Sequence, residues 1–157
     1  MMRRAIAAVL RARRYGARDP RLAAEALVCR VLLPVLKRSL PIRVLSRWMW
    51  VAPREESHPR QRERVEQLRD FAANAGRVFV STNCLERSLF FYRQLSRAGA
   101  APTLILGASA AKARVAGHAW VEVDGAPFAD TESAAYVPVV AFAGRGTPAA
   151  AGASAPA

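Results

Sequence analysis

Apolar residues recur at helical spacing along the front and the middle of the chain. Residues 1–18 combine this spacing with many arginines, which predicts a basic amphipathic helix. Asp19 and Pro20 are typical of a helix cap and a first helical position, so a second helix is predicted over residues 21–36. The same spacing returns over residues 61–75 and predicts a third helix there.

Shorter apolar runs follow in the back half of the chain. Residues 102–107 are a compact apolar run typical of a buried strand, and residues 118–123 alternate with the period of two that a half-buried strand shows. Asp124 and Gly125 are a strong hairpin signal, and residues 126–129 form the predicted return strand. Helices followed by a small antiparallel sheet predict an α+β fold.

A further helix is predicted between these two regions, and it begins at a cysteine. In the stretch STNCLERSLFFYRQL, Asn83 is a good helix cap and Glu86 completes a variant of the capping box, which puts Cys84 at or beside the first helical position. Unpaired backbone N–H groups and the helix dipole would stabilise a thiolate there. A cysteine at a helix start is more often an apolar packing residue, so its role depends on partner side chains.

His118 lies in the predicted strand, on one face with Trp120 and Glu122. The length of the hairpin loop decides whether Asp130 shares this face. With a two-residue loop Asp130 faces the opposite side of the sheet, whereas a three-residue loop places it diagonally across from His118, within side-chain reach. We therefore expect a pair between His118 and Asp130 to require an odd loop or a bulge.

Under that condition the three side chains have the chemistry of a catalytic triad. Cys84 would attack a carbonyl carbon, His118 would take its proton and later protonate the leaving amine, and Asp130 would orient the imidazole. Backbone N–H groups at the helix start are candidates for the oxyanion hole. We expect no cofactor and no metal, because the two cysteines and two histidines are too widely spaced for a convincing zinc site.

Composition limits the class of partner. With 157 residues, 52% of them hydrophobic, the chain can form one domain with a real core. Its net charge of +12 is concentrated at the front, because residues 1–60 hold 14 Lys and Arg against 4 Asp and Glu while residues 61–157 hold 10 against 8. An acidic partner explains this excess, and so does a genomic bias toward arginine. Basic and aromatic residues are not interleaved, so we expect no nucleic-acid partner.

The same features predict three parts of the chain. They are a basic helical N-terminal region over residues 1–60, a core over residues 61–143 and a disordered low-complexity tail over residues 144–157. The apolar segment 40–53 is expected to pack on the core or on a partner protein rather than on a membrane surface. The N-terminal apolar run is too short for a signal peptide and no segment is long enough to span a membrane, so we expect a cytoplasmic protein with reduced thiols.

Two motifs are specific in combination, namely C-L-E-R-S-L at residues 84–89 and G-H-A-W-V-E-V-D-G at residues 117–125. With L-I-L-G at residues 104–107 and with Asp130, they resemble the transglutaminase-like cysteine peptidases of lasso-peptide biosynthesis. The similarity covers roughly residues 65–140. Members of that family remove the leader peptide from the lasso precursor.

The resemblance implies a papain- or transglutaminase-like core in which a nucleophile helix packs on a small antiparallel sheet. It places the family's Cys, His and Asp on Cys84, His118 and Asp130. It implies cleavage of a lasso precursor peptide through a thioester, beside an ATP-using cyclase that resembles asparagine synthetase. The short basic N-terminal region is similar to the split form of the family, in which a separate small protein binds the leader and presents it.

A second hypothesis is a binding module. In it the transglutaminase-like core is catalytically inert, and the basic N-terminal helices dock on a protein partner or a membrane. Acyl transfer to an amine instead of to water uses the same three residues, and the sequence leaves this alternative open.

Overall fold

The computed structural model of the protein describes residues 19–53, 58–74, 79–81, 83–109 and 115–149. The helix predicted over residues 1–18 lies outside these ranges, as does the end of the chain from residue 150. Four described helices precede a five-stranded antiparallel sheet, so the α+β prediction is confirmed. In chain order the elements are α1 (Pro20–Ser39), α2 (Ile42–Met49), α3 (His58–Asn74), α4 (Cys84–Arg97), β1 (Thr103–Ser109), β2 (Ala116–Val123), β3 (Ala126–Pro127), a 3₁₀ helix (Ser133–Ala135), β4 (Val137–Ala143) and β5 (Thr147–Ala149).

The caps that the sequence predicts begin both helices that matter for the site. At α1, Pro20 is the first helical residue and the Asp19 carboxylate accepts a hydrogen bond from the Leu22 N–H at 2.9 Å. At α4, the Asn83 side chain accepts a hydrogen bond from the Glu86 N–H at 3.3 Å. Both predicted helix starts are confirmed.

The sheet has the strand order β3-β2-β1-β4-β5, with every neighbouring pair antiparallel. The central strand β1 therefore separates the hairpin that carries His118 from β4. Gly107 of β1 lies directly opposite His118 on β2 and opposite Pro138 on β4. The register between β1 and β4 shifts next to Gly107, whereas the pairing of β1 with β2 is regular through this position.

Helix α4 packs across the sheet and forms the centre of the core. Leu89, Tyr92 and Leu95 are fully buried on its apolar face, and the Ser88 hydroxyl donates to the Ala119 carbonyl of β2 at 2.8 Å. This last bond ties the helix to the strand one residue from His118.

The core also takes in the first two helices. Leu33 of α1 and Leu45 of α2 belong to the same buried cluster as the residues of α4, and the Val51 N–H donates to the Ser96 hydroxyl at 3.2 Å. The hydrophobic core therefore continues across the boundary predicted at residue 60, and the predicted packing of segment 40–53 on the rest of the chain is confirmed. None of the helices in the described ranges combines the length and apolarity that crossing a bilayer requires.

The prediction of a disordered tail from residue 144 is wrong for residues 144–149. These residues form a turn and strand β5, which pairs with β4 through Ala141, Phe142 and Ala143. The buried Tyr92 hydroxyl donates to the Gly144 carbonyl at 2.5 Å, so a core side chain of α4 anchors the turn. The small residues of this segment are typical of a disordered tail, which is why its composition predicted disorder. Strand pairing and the Tyr92 hydrogen bond order residues 144–149, and composition alone reveals neither contact.

Candidate active site

Cys84 is the first residue of α4 and lies at the edge of a cleft. Its side chain is partly exposed, and the thiol is free. The Asn83 cap engages the N–H of Glu86, and the Asn83 carbonyl accepts the N–H of Arg87. The N–H groups of Cys84 and Leu85 are the ones at this helix start that neither bond engages, so they remain as donors toward a developing oxyanion.

His118 and Asp130 form a close pair. His118 Nε2 lies 3.0 Å from Asp130 Oδ2, and both side chains are almost wholly buried. Because Nε2 is engaged by the carboxylate, Nδ1 is the ring nitrogen left to exchange a proton with a thiol.

The hairpin that brings the pair together is not the one that the sequence argument required. Val123 pairs with Ala126, so the loop holds two residues, and both of them have positive φ, 52° at Asp124 and 75° at Gly125. This is the geometry of a type I′ turn. The expectation that an odd loop would be needed is wrong.

Asp130 reaches the face of His118 because the return strand ends early. The strand predicted over residues 126–129 stops at Pro127, although the Phe128 N–H still donates to the Val121 carbonyl at 2.7 Å. Ala129 then adopts φ 50°, a left-handed conformation that redirects the chain. Strand parity therefore does not apply to Asp130, which lies beyond that change of direction.

The Asp130 carboxylate is held on both oxygens. Oδ1 accepts the N–H groups of Glu132 at 2.9 Å and of Ser133 at 2.8 Å, which fixes the start of the 3₁₀ helix. Oδ2 faces His118 and also lies 3.9 Å from Arg87 Nη2. One carboxylate thus orders the segment after the hairpin and orients the imidazole.

Two aromatic rings stack with the imidazole of His118. The His118 ring stacks with Tyr136 at a centroid distance of 4.8 Å and with Trp120 at 6.0 Å. Trp120 is itself fixed, since its Nε1–H donates to Glu122 Oε1 at 2.9 Å. The predicted shared face of His118, Trp120 and Glu122 is confirmed by these contacts.

Cys84 and His118 line one cleft of about 460 Å³. The residues around it are Asn83, Cys84, Arg87, Gly117, His118, Glu132 and Tyr136. The structure thus brings Cys84 and His118 to a common space and places Asp130 behind the imidazole. This arrangement offers a nucleophile, a base and an orienting carboxylate for attack on a carbonyl carbon.

Sequence reasoning missed three of the cleft residues. Arg87 could have been found, because it lies three residues after Cys84 and so shares its side of the helix. Tyr136 and Glu132 carry no local signal, since only the fold of the segment after the hairpin brings them here. Among the described residues, no group of three or more His, Cys, Asp or Glu side chains is placed to hold a metal ion.

A second polar cluster lies at the start of α4, on the side of α1. Glu86 Oε1 lies 2.5 Å from Lys37 Nζ, and Glu86 Oε2 accepts a hydrogen bond from the Ser81 hydroxyl at 2.5 Å. Ser81 Oγ in turn accepts the Asn83 N–H at 3.0 Å. The capping box predicted for Glu86 is therefore wrong, because Ser81 takes the N–H that the carboxylate was expected to bind.

Glu86 is only 4% exposed and is ionised by its partners. Burial by itself would raise the pKa of the Glu86 carboxyl, but the hydrogen bonds from Lys37 and Ser81 and the charge of Lys37 hold that pKa below its ordinary value. Burial raises the pKa of the other free thiol, Cys29.

Comparison with protein families gives one match. A family model described as the transglutaminase-like superfamily matches residues 23–141, which include most of α1, all of α2 and all three predicted site residues. Comparison with curated proteins and with solved structures finds no match.

Proposed function

The chain belongs to the transglutaminase-like superfamily, whose members are generally cysteine-peptidase-like, and from this we propose that it removes the leader peptide from a lasso-peptide precursor. The observation that carries the proposal is that His118, whose Nε2 lies 3.0 Å from Asp130 Oδ2, lines the same cleft as Cys84. The substrate class is supported by the two motifs at residues 84–89 and 117–125, which resemble those of lasso leader peptidases.

In the proposed mechanism the thiol of Cys84 attacks the carbonyl carbon of the bond that follows the leader. His118 Nδ1 takes the thiol proton, and Asp130 stabilises the resulting imidazolium through Nε2. The N–H groups of Cys84 and Leu85 bind the oxyanion. His118 then protonates the leaving amine, a thioester of Cys84 remains, and a water activated by His118 hydrolyses it.

The proposal includes two partners and a compartment. A separate small protein would bind the leader and present it, and a cyclase that resembles asparagine synthetase would close the ring of the released core peptide. The cytoplasm is the proposed site of action, since Cys29 and Cys84 are both free and ribosomal precursors are made there.

The outer face of α1 is the proposed docking surface for the leader-binding protein. This face exposes five large apolar residues, Leu27, Val28, Val31, Leu32 and Val35, and Val31 is 70% exposed. A helix that is apolar on its outer as well as its inner side is typical of one that is covered on both. Residues 19–53 contain two acidic residues, and both are paired: Asp19 with Arg64 and Glu25 with Arg97. Arg38 is exposed and lies one helical turn after Val35, at the border of the apolar face, which fits a partner with an apolar surface and an acidic rim.

The experiment that tests the function compares two cysteine variants. Purified wild type, Cys84→Ala and Cys29→Ala are incubated with precursor peptide and leader-binding protein, and the fragments are identified by mass spectrometry. Cys84→Ala is expected to fold and to release no leader fragment, while Cys29→Ala cleaves like the wild type because Cys29 is not in the cleft. Cleavage that persists in Cys84→Ala would refute the proposal, and binding of precursor without cleavage by the wild type would favour the binding module.

A further inference from the structure

We propose that Lys37 of α1 is a positioning residue for the Cys84 nucleophile, because its ion pair with Glu86 cancels a buried negative charge at the start of the nucleophile helix. The inference deepens the proposed function and rests on the nucleophilic role of Cys84. It assigns helix α1 a part in the chemistry of the cleft.

The contacts close into a network that joins two helices and the segment before α4. Glu86 is bound by Lys37 and by the Ser81 hydroxyl, each at 2.5 Å, and Ser81 also binds the Asn83 N–H. Asn83 in turn caps the Glu86 N–H at 3.3 Å. The side chain of Glu86 is 5% exposed and that of Lys37 is 25% exposed, so the ion pair is largely shielded from water.

The charge of Glu86 lies in the first helical turn, two residues after Cys84. Residues two apart point to different sides of a helix, and here Cys84 faces the cleft while Glu86 faces α1. A carboxylate within the same turn would oppose both a thiolate and an oxyanion formed at this helix start. Paired with Lys37, it leaves the helix dipole and the free N–H groups to stabilise those anions.

Within the part of the chain that the structure describes, few other charged and titratable groups lie at these two positions. Glu86 faces Lys37, with the charge of Arg30 on the same helix α1 also acting on it. The cleft side of Cys84 is faced by His118 from β2 and by Arg87 from its own helix, with Glu132 and Tyr136 from the segment after the hairpin. Neither Lys37 nor Glu86 lines the cleft, so substitutions there change the charge near Cys84 without replacing a cleft side chain.

The test measures how fast iodoacetamide alkylates Cys84 as a function of pH, in a Cys29→Ser background that leaves one thiol. Lys37→Met leaves the Glu86 charge uncancelled at neutral pH, where the carboxyl is ionised, and we expect the alkylation rate at that pH to fall by about tenfold. Glu86→Gln removes the negative charge and leaves the lysine, so the rate is expected to equal or exceed that of the parent. The double variant, with no charge at either position, is expected to return close to the parent rate.

The opposite responses of the two single variants distinguish electrostatic positioning from a merely structural role. Loss of structure would lower the rate in both Lys37→Met and Glu86→Gln, in step with their thermal stability. Arg64→Met is the matched control, since it breaks a similar ion pair of the N-terminal region, with Asp19, away from the start of α4. It is expected to leave the alkylation profile unchanged.

Parallel loss of rate in both single variants would overturn the inference, as would a Lys37→Met profile that coincides with the parent. Failure to restore the rate in the double variant would overturn it as well. None of these measurements needs a peptide substrate. A chain that shows the expected alkylation pattern but cleaves no precursor would contradict the proposed function and leave the role of Lys37 intact.

Discussion

The close approach of Trp120 to Gly107 makes one substitution a sensitive probe of how the imidazole is held. A Cβ atom added at Gly107 would lie 2.6 Å from Trp120 Cζ3 and 2.8 Å from Cη2, and 3.0 Å from the Val137 carbonyl oxygen. The indole cannot yield by rotating a flexible end, because it is 2% exposed and its Nε1–H is bound to Glu122. Gly107→Ala must therefore displace the ring or the strand.

The expected cost follows from overpacking a closed site. Forcing atoms into a packed core destabilises by about 1–3 kcal/mol. The lower chain entropy of alanine in the unfolded state returns only about 0.4–1 kcal/mol, so the clash outweighs it. The difference is a net loss of about 1–2 kcal/mol, which for a chain of this length lowers the melting temperature by roughly 2–8 °C. Since Trp120 stacks on His118, we also expect slower leader cleavage, by up to about a hundredfold.

Differential scanning calorimetry of four variants tests the argument. Gly117→Ala is the matched control for stability, because the nearest atom to its added Cβ would be the Gly107 carbonyl oxygen at 4.0 Å. Trp120→Phe removes the two clashing ring atoms, so combining it with Gly107→Ala is expected to cost less than the sum of the single changes. A Gly107→Ala protein that melts with the wild type, or single effects that simply add, would refute the reasoning.

Two more predictions concern Asp130 and the face of α1. Asp130→Asn keeps an oxygen for the N–H groups of Glu132 and Ser133 but loses the charge beside His118, so kcat is expected to fall at least about a hundredfold with little loss of stability. Asp130→Ala also loses the oxygen that caps the 3₁₀ helix, so its free energy of unfolding is expected to be about 1 kcal/mol below that of Asp130→Asn in thermal melting. Equal stability of the two variants would contradict the capping role. Val31→Asp, at a 70% exposed position, is expected to weaken binding of the leader-binding protein about tenfold or more in calorimetric titration while leaving folding unchanged. Undiminished binding would show that the partner docks elsewhere.

Local signals were enough to predict the elements that carry Cys84 and His118. Asn83 caps the helix by binding the N–H of Glu86, three residues further along the chain. The type of the Asp124-Gly125 turn is determined by the two residues in it. These features depend on neighbours in the chain. The position of Cys84 and the strand of His118 could therefore be predicted without knowledge of the fold.

The path to Asp130 could not be predicted by the same means. Counting strand positions assumes that pairing continues through residue 129, whereas Ala129 adopts a left-handed conformation that alanine does not favour. Contacts that exist only in the folded chain offset the cost of this backbone conformation. They are the two N–H groups bound by Asp130 Oδ1 and the imidazole bound by Asp130 Oδ2. The presence of Cys84, His118 and Asp130 together in the sequence therefore predicted the pairing of His118 with Asp130 better than counting strand positions across the hairpin did.

The charge at the front of the chain does not by itself mark the proposed docking surface on α1. Three acidic residues are each paired across the fold, Asp19 with Arg64, Glu25 with Arg97 and Glu86 with Lys37. In these pairs both acidic residues described in the front, Asp19 and Glu25, are neutralised by cations from the core, and Lys37 of the front neutralises an acidic residue of the core. Because Lys37 faces inward to Glu86, a partner that covered the outer face of α1, as proposed, would sit one helix away from Cys84 at the start of α4.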